Sequence, residues 1–316
     1  MTSDRSLTIV IPTKDRPESL QRVLRHLAAT APEAEIIVVD DGSREPVRVP
    51  APARVVRNEE SMGHGPARNR GAELASGELL AFLDDDVLPS ASAWTRLTRL
   101  VTSHPLAWAA PVVVTEGDAV GPSAEAADHV LMVEYLPTCV LLTTPSAFHA
   151  IGGFDESFTA LDDFEVTTRA RHAGHVLFYD PHTNAIHADA RRGFRDSTLR
   201  MHDWIEATPR MWAKAAEVPL DSWTYGTFCT AMFPRRSQLR IAARLLSRPR
   251  LWGLYKRLLP QRPPPPRVAE MVSALAHVRA AHMGLSTLSP ALAHELCVAC
   301  RNPEHSTWLI RRVEFS

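Results

Sequence analysis

Three adjacent carboxylates, Asp84, Asp85 and Asp86, follow the apolar run Leu-Leu-Ala-Phe-Leu at 79–83. Oxygen donors at that density suit a divalent cation, Mg²⁺ or Mn²⁺, which completes its shell with phosphate oxygens and water. Alternate strand residues point to opposite faces, so the pattern predicts Asp84 and Asp86 on one side and Asp85 on the other. A solvated acidic turn before Pro89 is the plainer reading. Position favours a site, because open α/β sheets bind ligands at the carboxyl ends of their strands. Arg68, just after Pro66, is a second candidate. On the first turn of a helix, a cation and free backbone N–H groups would both face a phosphate; otherwise it is a surface arginine beside Arg70.

The elements that must carry these residues alternate. Residues 7–11 read as a buried strand, and Leu20, Val23, Leu24 and Leu27 recur at helical spacing. Residues 36–39 form a strand ending in Asp40-Asp41, and 55–56 a shorter one. A helix is expected from Pro66 to Ala75, closed by Ser76-Gly77. Strand, helix, strand, strand, helix, strand is the rhythm of a doubly wound parallel sheet. Further on, 94–103 predicts a helix and 108–115 a strand. Residues 116–128 predict a surface loop able to move over a site. Residues 139–143 predict a strand, 145–151 a short helix, 162–172 a helix with acids first and bases last, and 176–179 a strand leading to His182 and His187.

Beyond Asp189 the pattern turns helical. Helices are expected over 197–217, over 238–259 with a break at Pro249, and over 267–283, with a stiff Pro263–Pro266 linker. The division is therefore 1–190 as an α/β catalytic domain and 191–316 as a mainly helical region for acceptor binding, dimer contact or a membrane-proximal surface. Every charge from Arg235 to Arg267 is basic. That stretch reads either as a solvated arginine face on packed helices, favoured because Pro249 interrupts the amphipathic run, or as a surface for anionic membrane.

A formal net charge of −1 gives no global attraction to nucleic acid. No segment is apolar enough to span a bilayer. Cys139, Cys229, Cys297 and Cys300 make no spaced framework, so a reducing cytoplasm is expected. His294, Cys297, Cys300 and His305 have spacing a zinc ion accepts, without a surrounding zinc-ribbon pattern.

Four segments carry a resemblance over roughly the first 190 residues: Val10-Ile-Pro-Thr, Ile37-Val-Val-Asp-Asp-Gly-Ser, Gly65-Pro-Ala-Arg-Asn-Arg-Gly leading to Phe82-Leu-Asp-Asp-Asp, and Gly152-Gly-Phe-Asp-Glu followed by Leu161-Asp-Asp-Phe-Glu. In this order they resemble the family 2 glycosyltransferases of the GT-A fold. The resemblance implies a Rossmann-like, mostly parallel central sheet flanked by helices, with a C-terminal helical extension.

It also implies that Pro12, Thr13, Asp41, Arg68, Asp84 and Asp85 contact a nucleotide-diphosphate sugar. Asp84 and Asp86 would hold the metal with His187; His182 competes for that third place. Asp163 would be the general base, with Asp162 more a helix cap. The expected reaction moves one sugar, from a UDP-sugar in preference, to a hydroxyl or amine with inversion. The acceptor would be a small molecule, a glycan end or a lipid-linked group, and a homodimer or peripheral membrane contact is compatible. Lys14-Asp15-Arg16 departs from the family's aromatic-Asn and leaves the base open. Trp204 or Trp212 could stack on a sugar, though both sit at core spacing. A sugar-nucleotide nucleotidyltransferase is the competing enzyme, but no Gly-rich loop follows the first strand. A catalytically silent nucleotide-binding partner protein is the third reading.

Overall fold

The computed structural model describes residues 6–117, 130–188, 193–215 and 245–286. They divide into two compact units, with the boundary between residues 190 and 191. The first contains β1 (Leu7–Thr13), α1 (Pro17–Thr30), β2 (Glu35–Asp41), β3 (Arg54–Asn58), α2 (His64–Glu73), β4 (Leu79–Leu83), β5 (Val87–Pro89), α3 (Ala91–Ser103), β6 (Ala107–Thr115), β7 (Leu131–Met132), β8 (Val140–Thr143), α4 (Pro145–Ala150), α5 (Asp162–His172) and β9 (Val176–His187). The second contains α6 (Phe194–Ala215), α7 (Pro249–Leu258) and α8 (Pro266–Leu285).

The strands order as β3-β2-β1-β4-β8-β6-β9-β5, with β7 beside β9. The parallel arrangement expected from the alternating elements holds for β3-β2-β1-β4. The other half is mixed: β8 runs antiparallel to both β4 and β6, while β9 runs parallel to β6 and antiparallel to β5 and β7.

Both faces of the sheet are covered, which explains strands that read as continuous apolar runs. Ile9, Ile11, Leu79, Ala81 and Leu83 meet α1 and α3 through Leu20, Val23, Leu27, Trp94 and Leu97. Their alternates Val10, Leu80 and Phe82 meet α2, α4 and α5 through Ala67, Phe148, Val166 and Ala170. Phe82, Phe148 and Phe154 pack mutually at 5.0–5.6 Å between ring centroids. Each such pair adds ~0.5–1.5 kcal/mol beyond the area it buries. This cluster fixes β4 two residues short of Asp84.

Close approach of α2 to β1 depends on Gly71, where an added Cβ would lie 2.2 Å from Val10 Cγ1. Gly71→Ala must therefore displace helix or strand, and is expected to destabilise by ~1–3 kcal/mol. Urea denaturation checks this; an unchanged midpoint would contradict the packing.

Two expectations change. Pro66 does not open α2, which starts at His64 behind Gly63 at φ +102. The strand expected over 176–179 does not end there: β9 continues to His187, and only residues 181–183 bulge out, since Asp180 pairs with Pro111 and Asn184 with Val112. The break expected at Pro249 is present: helical residues 245–246 end in a turn at 247–248, and Pro249 is the first residue of α7, where a missing N–H costs nothing. Residues 118–128, residues 235–244 and the His294–His305 group lie outside the described residues, as does the Trp212 side chain.

Candidate active site

Parallel neighbours β1 and β4 end at the same edge, so the residues following each meet there. Thr13 Oγ1 donates to Asp85 Oδ2 at 2.6 Å. Arg16 forks across two acids, Nη1 to Asp85 Oδ1 and Nη2 to Asp86 Oδ2, each at 2.7 Å. The sequence reading missed Arg16. The available signal was strand adjacency, because a cation just after one strand faces acids just after its parallel neighbour.

The grouping of the aspartates also differs from expectation. Val87 N–H donates to the Asp84 carbonyl, so the chain leaves the strand at Leu83 and turns. Strict alternation then no longer applies: Asp85 and Asp86 share Arg16, while Asp84 faces elsewhere. Antiparallel β5 and β9 place Val87 opposite His187, which sets His187 Nε2 3.1 Å from Asp86 Oδ1.

The environments of the two shared acids diverge. Burial pushes Asp85 up to about 6, only partly opposed by Thr13 and Arg16. Burial acts the same way on Asp86 but is outweighed by the His187 hydrogen bond and by Arg16, which hold it down at about 2. Asp86 is therefore held towards its anionic form.

Asp84 turns to Arg68. That guanidinium, 3% exposed, donates to Asp84 Oδ1 and to Asp162 Oδ2, each at 2.7 Å, and lies 5.4 Å from the Phe154 ring centre. Arg68 is thus neither on the first helical turn nor on the surface; it ties the acidic end of β4 to the acidic start of α5. Asp162 and Asp163 both stand in the first turn of α5, with Arg169, Arg171 and His172 in the last. Asp163 Oδ1 accepts the Phe164 N–H at 2.8 Å. Burial and the Asp162 charge nevertheless hold the Asp163 carboxyl above the ordinary carboxylate range. Cys139 is close by, and burial together with Asp84 and Asp163 pushes its thiol far up, which disfavours the thiolate.

Two other supports were not anticipated. Asn69 Oδ1 accepts the Phe154 N–H and Asn69 Nδ2 donates to the Phe154 carbonyl, at 2.8 and 2.9 Å. Arg169 donates to Glu165, to the Ile151 carbonyl and to the Gly153 carbonyl at 2.7 Å. Both bind the Gly-Gly-Phe segment to a helix.

Asp41 is buried and accepts from Asn58, Ser61, Met62 N–H and Gly63 N–H at 2.7–2.9 Å. About four lone-pair sites is a carboxylate's capacity, so Asp41 here shapes the segment that leads into α2. Pro12 and Thr13 close β1 at the same edge. His182 is not drawn to Asp86; its N–H donates to Asp180, which Arg96 clamps. Trp204 lies in the second unit under Arg200.

Among the described residues no three His, Cys, Asp or Glu side chains gather as a metal-holding group. Asp86 and His187 do gather. Ligand bonds of ~2.1 Å at a right angle separate donor atoms by ~3.0 Å, close to the 3.1 Å between them. A carboxylate oxygen and an imidazole nitrogen fit Mn²⁺, with the other positions left to phosphate and water. Asp84 is held by Arg68 instead.

Residues 8–154 match the family model described as Glycosyl transferase family 2. A pre-mycofactocin glycosyltransferase of Mycobacterium tuberculosis is 29% identical over 224 residues, 64% of this chain and 45% of that protein. The chain thus spans about half the length of the curated relatives it first matches. In fold, it is similar to a mannosyltransferase of Pyrobaculum calidifontis solved with GDP-Man and Mn²⁺, with TM-score 0.53, 15% identity, and 93% of this chain and 79% of that one covered. It is also similar to S. aureus TarS 1–349 solved with UDP, with TM-score 0.52, 15% identity, and 93% and 88% covered.

Proposed function

We propose, from the premise that this chain belongs to glycosyl transferase family 2, that it moves one sugar from a nucleotide-diphosphate donor to an acceptor hydroxyl or amine with inversion. The observation that carries this reading is the Arg68 fork. One buried guanidinium draws Asp84 and Asp162 together, and so sets the raised carboxyl of Asp163 beside the acidic end of β4.

Asp163 accepts the acceptor's proton. Its raised affinity for protons suits a base that must bind one during the reaction and release it afterwards. The freed acceptor oxygen or nitrogen bonds to the anomeric carbon as the bond to the donor diphosphate breaks. A single base fits one displacement and hence inversion. Asp86 and His187 would hold the divalent ion, with Asp84 the third candidate ligand. When bound, such an ion supplies positive charge against the negative charge that develops on the departing diphosphate. Thr13 and Arg16 fix Asp85, and Asp41 braces the segment before α2, so that Pro12, Thr13, Arg68 and Asp85 line the donor's place. UDP is the preferred nucleotide, and the bound ligands of the two solved relatives support a nucleotide diphosphate of either base.

Titration calorimetry with UDP, GDP and TDP, each with Mn²⁺ and with chelator, tests the metal and the base together. UDP is expected to bind more tightly with Mn²⁺. His187→Ala should weaken the Mn²⁺-dependent binding at least ~10-fold, since even outer-shell partners of a metal contribute 10–100-fold. Binding that ignores chelator for every nucleotide would remove Asp84, Asp86 and His187 from the metal role.

A further inference from the structure

α7 packs its aromatic residues against α6 and α8 and leaves its leucines exposed. Trp252 faces inward: its ring stacks on His202 of α6 at 4.6 Å between centroids and lies 4.1 Å from the Arg279 guanidinium of α8. Tyr255, on the same side, donates its hydroxyl to the Val272 carbonyl at 2.5 Å. Arg279 completes the junction by donating to the Leu246 carbonyl and to His202 Nε2. The leucines lie on the arc beside that face and are open to solvent. Leu251, Leu254 and Leu258 are 38%, 53% and 72% exposed, and at 100° per residue they fall within about 60° of helical arc. Val268 and Met271 at the start of α8 are also exposed.

Charge selects the partner for this apolar edge. Between Leu245 and Arg267 the charged residues are Arg248, Arg250, Lys256, Arg257, Arg262 and Arg267, with no acid among them, and all six are exposed. Arg250 and Arg257 flank the leucine arc along one side, where their stems can follow the apolar surface and their guanidinium groups reach outward. An exposed leucine stripe flanked on one side by cations is the pattern of a helix lying in a lipid interface; the one acid near this edge is the exposed Glu270, between Val268 and Met271 on α8. No described helix is long and apolar enough to cross a membrane.

We propose that α7 seats this protein on an anionic bilayer, with Leu251, Leu254 and Leu258 in the acyl boundary and the flanking cations among acidic headgroups. The inference concerns the second unit alone and stands apart from the reading of the first.

Co-sedimentation of the full chain with vesicles of phosphatidylcholine, and of phosphatidylcholine mixed with phosphatidylglycerol, tests it. Binding is expected to the mixed vesicles only, and to fall as salt is raised. Arg250→Glu with Arg257→Glu should weaken it at least ~10-fold. Leu254→Asp with Leu258→Asp should abolish it while leaving the circular dichroism unchanged, because both side chains already face solvent. Equal binding to the two vesicle types, no binding to either, or leucine variants that bind like the parent would overturn the proposal. So would a parent that ignores vesicles but self-associates on size exclusion and becomes monomeric with the leucine variant, since the stripe would then join two copies of the chain.

Discussion

Asp163→Asn is expected to lower turnover ~10²- to 10⁴-fold while nucleotide diphosphate binding stays within error of the parent, because a general base contributes about that factor and the donor meets other residues. The pH profile gives a second reading. The Asp163 carboxyl is held above the ordinary range by burial and Asp162, so the acid limb of kcat/KM should lie at higher pH than a free carboxylate would place it. Activity is lost as pH falls and the base becomes protonated. Stability follows the opposite sign. A carboxyl that resists ionisation in the fold destabilises it once pH exceeds the unfolded-state value, and has no effect where both states are protonated. Asp163→Asn should therefore be no less stable than the parent at neutral pH and equal to it near pH 3. A variant that loses activity by unfolding would show reduced Tm at neutral pH, contrary to this expectation. A variant with parental turnover would remove Asp163 from the chemistry altogether.

Arg68→Ala should lower stability by about 3 kcal/mol. Removing one partner of a buried ion pair costs ~3–5 kcal/mol, because the remaining charge is left without compensation. The lower end applies since Asp84 keeps 31% of its side chain exposed. Arg68→Lys should recover little, since an ammonium cannot hold two carboxylates in the planar fork that Asp84 and Asp162 accept. Urea midpoints of the two variants decide the matter; a loss below ~1 kcal/mol would mean that the two acids are separately solvated.

What the sequence made legible was whatever a local period or a chain-adjacent signal encodes. α5 was readable residue for residue, since acids begin it, bases end it and Gly174 follows. The β1, β2 and β4 strands were readable because both faces are buried and the runs are apolar throughout. The orientation of Asp84, Asp85 and Asp86 was not, because the period of two holds only while the strand lasts, and a three-residue turn ends it. Arg16 was hidden for a different reason. Its partners are about seventy positions away, and only the parallel pairing of β1 with β4 makes them neighbours. The same holds for Arg68, whose two acids belong to elements far apart in the chain. The break ahead of α7, by contrast, was legible for a local reason, because a proline is excluded from a helix interior and harmless at its first position.

The bulge at 181–183 in β9 separates two jobs that one strand performs. Upstream, Val176 to Asp180 stays in step with the sheet interior; downstream, Asn184 to His187 is stepped afresh against the same neighbour. Residues gained or lost within this slack would be absorbed before they could shift Leu177 or Phe178 in the interior. The imidazole facing Asp86 can thus be re-aimed, or exchanged for another side chain, without refolding what lies beneath it. Rim and scaffold are thereby uncoupled in register at residues 181–183.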